Sequence, residues 1–167
     1  MDDSALNRAK QPRTVLAGSY GHPFHPILVT IPIGTWLAAL IFDIVAIFSS
    51  DDQVFARGAM WLVGIGIVGA LIAAVFGFID FGGIAAGTKA RRTATIHMGI
   101  NLTVTALFIV SFFVRLNDGF DDVSVLGFVL ALIGYAWIGV SGYLGGQLAY
   151  RYGIRVADEN TQREGFR

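Results

Sequence analysis

The sequence predicts an all-α integral membrane protein, a four-helix bundle with both termini on the cytoplasmic side. Three observations lead there. Of 167 residues, 54% are apolar and only 14% charged, and the mean hydropathy is +0.64. A soluble domain carries about a quarter of its residues as charges, so a solvated surface is out of reach here. Four apolar stretches, approximately Pro26–Ser50, Ala56–Phe81, Thr93–Leu116 and Val123–Ala149, each approach the roughly 20 residues that a spanning helix needs. Finally, ten of the twelve Lys and Arg residues lie before span one, between spans two and three, or after span four. The other two loops hold only Arg57 and Arg115 beside several aspartates, and positive charge marks the cytoplasmic side.

The chain divides into a polar N-terminal segment (1–20), the four-span domain (21–150) and a short charged tail (151–167). The polar start predicts no cleaved signal peptide, so span one is retained. With no cysteine, disulfides, thiolate catalysis, iron–sulfur clusters and Cys-type zinc sites are excluded for this chain alone. A net charge of zero argues against nucleic acid as a partner. Phosphate loops, Gly-x-Ser-x-Gly and His-Glu-x-x-His are absent from the sequence, which removes the corresponding enzyme classes.

Spans one and three share a pattern. His25 and Asp43 are eighteen positions apart, as are His97 and Arg115, and eighteen residues is five turns at about 3.6 per turn. Each pair therefore lies on one helical face. The ends of spans two and four also resemble each other, with Gly77-Phe78-Ile79-Asp80-Phe81-Gly82-Gly83 set beside Gly142-Tyr143-Leu144-Gly145-Gly146. A parallel duplication of a two-helix hairpin would place spans one and three diagonally, His25 facing His97 and Asp43 facing Arg115. A kink at Pro32 would work against it by rotating Asp43 off the His25 face.

Gly69, Ala73 and Gly77, like Gly142 and Gly146, recur every four residues. Such spacing admits close helix packing or a flat ligand. It also suits a non-catalytic accessory subunit seated in a larger membrane complex, whereas a metal-transport role for only four helices would require a homo-oligomer. Asp43 is costly inside an apolar run without a partner, and Arg115 is the expected one. Asp80 is expected to bind a metal, cap a turn or pair with Arg91 or Arg92.

All three histidines fall near the cytoplasmic edge. His22 and His25 lie in Gly21-His22-Pro23-Phe24-His25-Pro26, where an extended three-residue period would project both from one side and Pro26 would begin the helix. Imidazole is the commonest metal ligand, and two sites fit the pattern. In one, His25 or His22 and His97 are axial ligands of haem b, with glycines making room and Arg13, Arg91 or Arg92 near its propionates. In the other, His22, His25, His97 and Asp80 hold a non-haem transition metal. Asn101, one turn beyond His97, would hydrogen-bond a ligand or bridge helices. The alternative is structural, with the imidazoles bonded to backbone carbonyls.

These motifs bring a family into view. Gly21-His22-Pro23-Phe24-His25-Pro26-Ile27-Leu28-Val29 with Pro32-Ile33-Gly34, Asp80-Phe81 with Gly87-Thr88-Lys89-Ala90-Arg91-Arg92 and His97-Met98, and Gly142 through Gly153 together resemble the bacterial inner-membrane family catalogued as domain of unknown function 2231. The resemblance runs from about Gly18 to Val156. It implies a bacterial inner-membrane location but no established biochemical role. Some relatives carry a Rieske-type domain, which implies a redox setting with a quinone or redox-protein partner and electron transfer. Relatives of that kind have His in the last motif where this chain has Gln147.

Overall fold

The computed structural model describes residues 3–10, 14–19, 22–120 and 122–166. Arg13 and Gly21 lie outside the described residues. Helix α1 (Asp3–Ala9) precedes a small antiparallel hairpin, β1 (Gly18–Ser19) with β2 (His22–Pro23). The bundle follows as α2 (Phe24–Leu28), α3 (Thr30–Phe48), α4 (Asp52–Gly82), α5 (Lys89–Asp118) and α6 (Val125–Gly146). A single π turn extends α6 through Gln147–Arg151, and α7 (Glu159–Glu164) closes the tail.

Four helical segments are long and apolar enough to cross a membrane: Phe24–Phe48, Asp52–Gly82, Lys89–Asp118 and Val125–Arg151. They outrun the predicted spans by a few residues at several ends. The 31 residues of α4 extend about 46 Å at 1.5 Å per residue, beyond a hydrocarbon layer of roughly 30 Å. Its ends therefore reach headgroup depth or the helix tilts.

The local chemistry accounts for the boundaries. Thr88 and Ser124 cap α5 and α6, accepting from Arg91 N at 3.1 Å and Gly127 N at 3.2 Å, which satisfies two of the free first-turn donors. Span one divides at Val29, because Pro32 has no N–H to give the Leu28 carbonyl. Val29 nevertheless keeps helical angles (φ −65°, ψ −18°), so the helical phase passes through. The kink expected at Pro32 does not turn Asp43 away: proline is tolerated where the first-turn N–H needs no helical partner.

α3 packs on α4 and α5 on α6, while α4–α5 and α3–α6 contacts close the ring more loosely. α3 and α5 face each other across its diagonal, as the duplication predicts. The core is small: Trp36, Ala39, Leu40, Ala59, Val63, Val104, Phe108 and Ala131. Trp36 and Phe108 stack across the diagonal with centroids 3.8 Å apart and planes 4° from parallel. Large apolar side chains such as Ile41, Val68, Phe113 and Leu132 point outward, where lipid is their solvent.

The same contacts recur about an approximate two-fold axis along the bundle. Residues 25, 36 and 43 of the first hairpin have counterparts 72 positions later at 97, 108 and 115. On the second helices the shift is 68: Gly66 lies against Trp36 as Gly134 lies against Phe108. The glycine register is thus Gly77 with Gly145 rather than Gly77 with Gly142. The second hairpin is four residues shorter, close to one turn, so the inward face is kept.

Candidate functional site

At one end of the diagonal the two imidazoles meet. The His25 and His97 ring centroids are 6.5 Å apart, with planes at 89°. His25 Nδ1 lies 2.9 Å from the Ala73 carbonyl oxygen and His97 Nδ1 2.9 Å from that of Ser141. A hydrogen bond donated by Nδ1–H in each pair holds the ring and leaves Nε2 as the lone-pair nitrogen. Gly77 and Gly145 stand against the rings, where an added Cβ would come within 3.0 Å of His25 Cε1 and 3.4 Å of His97 Cε1. These glycines therefore make room for the imidazoles themselves.

The two histidines differ in their surroundings. The Asn101 amide donates to Ser141 Oγ at 2.7 Å and to the His97 carbonyl at 2.9 Å, with His97 Nε2 at 3.2 Å. Asn101 thus bridges α5 to α6, one of its two expected roles. Ser141 Oγ also sits 2.9 Å from His97 Nδ1. At the matching positions around His25 stand Val29 and Ala73, so that copy has no polar network of this kind.

Other expected ligands lie elsewhere. His22 is exposed on β2 and His25 begins a helical turn, so the two do not share an extended strand. The helix starts at Phe24, with Pro26 third rather than first. Asp80 pairs with Arg155 from the tail, Nε to Oδ1 at 2.7 Å, not with Arg91 or Arg92. Arg91 donates to the carbonyls of Phe81 at 2.6 Å and Ile84 at 3.0 Å, and its guanidinium lies 3.4 Å over the Phe81 ring. Arg92 is exposed. Among the described residues, no group of three or more His, Cys, Asp or Glu gathers closely enough to hold one metal ion. The four-ligand non-haem set is therefore not assembled.

Arg155 ties three segments over the histidine end of the bundle. Its backbone N–H donates to the Ala9 carbonyl at 2.9 Å, Nη1 to the Arg8 carbonyl at 3.3 Å, and Nε to Asp80. Replacing Arg155 with Gln removes a charge-assisted bond worth about 1.5–3 kcal/mol. Exchange of the backbone amide at position 155 is expected to accelerate by roughly an order of magnitude or more, measured by hydrogen–deuterium exchange. Unchanged protection would show that the backbone bond alone holds the tail.

At the opposite end, Asp43 and Arg115 form a bidentate pair, Nη1 to Oδ1 and Nη2 to Oδ2 each at 2.6 Å. Their side chains are 0% and 3% exposed. Arg115 Nε donates to Ser111 Oγ at 3.2 Å, and that hydroxyl donates to the Gly127 carbonyl at 2.7 Å. Gly127 admits the arginine stem, since a Cβ there would come within 2.7 Å of Arg115 Cγ. Each charge is neutralised and hydrogen-bonded, so this end reads as structural rather than reactive.

Sequence reasoning missed Ser141, Ala73, Arg155 and the Trp36–Phe108 stack. The shift of 72 defined by the two His-to-charge pairs already aligns Trp36 with Phe108, which is the signal that would have found the stack. Arg155 follows a non-helical stretch with φ at 59°, and no periodicity points to it. No curated protein and no solved structure matches this chain significantly. A family model described as a predicted membrane protein (DUF2231) matches residues 21–158. With four membrane-length apolar helices inside that match, the chain is an integral membrane protein belonging to the DUF2231 family.

Proposed function

We propose that the protein is a small membrane cytochrome in which His25 and His97 would hold one haem b through their Nε2 atoms. The observation that carries it is the matched pair of imidazoles, each anchored through Nδ1 on a backbone carbonyl and set 6.5 Å apart. An Nδ1–H held by a carbonyl is the outer-shell arrangement that orients a ligating histidine and strengthens its Nε2 as a donor. Two imidazoles suffice for a haem, which brings four nitrogens of its own, whereas a bare ion would need further protein ligands.

Asn101 can release His97 Nε2 without loss, because its amide keeps Ser141 Oγ and the His97 carbonyl as acceptors. A haem held by His25 and His97 would lie between the two hairpins, which pack more tightly within themselves than against each other. When bound, the haem supplies one-electron transfer, with a lipid-soluble quinone or a redox protein as the exchange partner. The concentration of Lys and Arg at the histidine end supports a cytoplasmic position for that end and both termini, in keeping with the proposed bacterial inner-membrane setting.

The test is an optical spectrum of detergent-purified protein from haem-replete cells, oxidised and then reduced with dithionite. A Soret band and a reduced α band are expected from the parent, and both are lost in His25→Ala and His97→Ala. A featureless spectrum from folded, monodisperse protein overturns the proposal.

A further inference from the structure

A basic recess at the start of α5 and an apolar groove on its α6 side follow one another along the helix. The recess, about 400 Å³, is lined by Gly87, Thr88, Lys89, Arg91, Arg92 and Thr95. The groove, about 340 Å³, is lined by Ile96, Gly99, Ile100, Thr103, Val104 and Trp137. Residues 92, 96, 99 and 103 succeed each other at intervals of four, three and four, which puts them on one helical face. The recess opens where α4 ends at Gly82 and α5 begins at Lys89, at the depth of lipid headgroups. The groove lies one turn further along α5, in the apolar span.

The chemistry of the two parts is complementary to one kind of molecule. Three cations and no carboxylate line the recess. Arg91 is immobilised by the Phe81 and Ile84 carbonyls, which fixes one positive charge in place. Among the described residues, the side chains of Lys89 and Arg92 have no ion pair or hydrogen bond. Below them, Gly99 leaves the groove open, with nothing within 4 Å of where its Cβ would stand. Trp137, 49% exposed, gives it an aromatic wall.

We propose that this face binds one anionic phospholipid, its phosphate in the recess and an acyl chain in the groove. The general preference of cationic residues for one side of a membrane explains the charges, but not a recess followed on the same helix by an apolar groove. Juxtamembrane basic residues attract anionic headgroups, and the groove adds a contact that a soluble phosphate cannot make. This site is independent of any haem between His25 and His97.

The experiment is native mass spectrometry of the full chain in micelles, offered phosphatidylglycerol or phosphatidylcholine with identical chains, or glycerol phosphate alone. Phosphatidylglycerol is expected to be retained about tenfold over phosphatidylcholine. Lys89→Gln with Arg92→Gln is expected to abolish that preference. Gly99→Leu, which fills the groove without changing charge, is expected to weaken both lipids while leaving the preference intact. Equal retention of the two lipids by the parent, or a preference that survives the double substitution, overturns the headgroup assignment. Glycerol phosphate bound as firmly as the lipid, or lipid binding indifferent to Gly99→Leu, overturns the acyl-chain assignment.

Discussion

Replacing Arg115 with Met alone is expected to destabilise the protein by about 3–5 kcal/mol, because it leaves the Asp43 carboxylate buried without its partner. Asp43 is 0% exposed and both of its oxygens accept from Arg115, so the carboxylate is sealed from bulk solvent. Asp43→Leu should cost a similar amount by stranding the guanidinium, of which only the Nε bond to Ser111 would remain. The double variant Asp43→Leu/Arg115→Met should recover most of the loss, because an apolar pair carries no desolvation penalty. Unfolding curves of the four proteins in one detergent close the cycle, and a coupling energy near zero would sink this account.

The pair is also far from the histidines. Eighteen residues of helix separate His25 from Asp43, about 27 Å at 1.5 Å per residue. If the haem proposal holds, folded double variant should retain its Soret and α bands. That result would assign the two ends different work: an ion pair that fixes the diagonal register and an imidazole pair that carries chemistry. A haem lost from a stable double variant would mean that the charge pair sets the histidine spacing.

How much of this could be read from the sequence follows from where each signal resides. The His-to-charge spacing was legible because ionisable residues are rare in spans and the helical period is strict, so two matching intervals of eighteen imply two matching faces. Pro32 misled because its effect depends on position within the helix, and at the third residue of α3 it leaves the phase intact. The partner of Asp80 was illegible: Arg155 reaches it from a tail whose path turns at Gly153 (φ 67°) and Arg155 (φ 59°), and no interval encodes such a path. Glycine spacing was visible but its purpose was not. Gly77, Gly145, Gly66 and Gly134 each accommodate one ring of the opposing helix, and a stripe of small residues does not name the ring.

The glycines beneath the Trp36–Phe108 stack give the second large effect. Gly66→Ala would drive a methyl group into Trp36 Nε1 and Cδ1. Trp36 has nowhere to go: it is 3% exposed, donates from Nε1 to the Val63 carbonyl at 3.2 Å, and is backed by Phe108 at 3.8 Å. Over-packing of this kind costs about 1–3 kcal/mol, and losing the indole bond strands a buried N–H donor at about 1–3 kcal/mol more, since the Val63 carbonyl keeps its own helical bond. Gly134→Ala meets Phe108 Cε2 at 2.9 Å, but no hydrogen bond is at stake, so only the packing cost is expected. Gly139→Ala, with nothing within 4 Å, should be close to neutral. The predicted order of destabilisation in thermal unfolding is therefore Gly66, then Gly134, then Gly139. Adding Trp36→Phe to Gly66→Ala should restore part of the loss, since the smaller ring vacates the volume the methyl needs. A reversed order would contradict the packing on which the two-fold arrangement rests. Loss at Gly66 without rescue would instead place the cost in the helix backbone rather than in the stack.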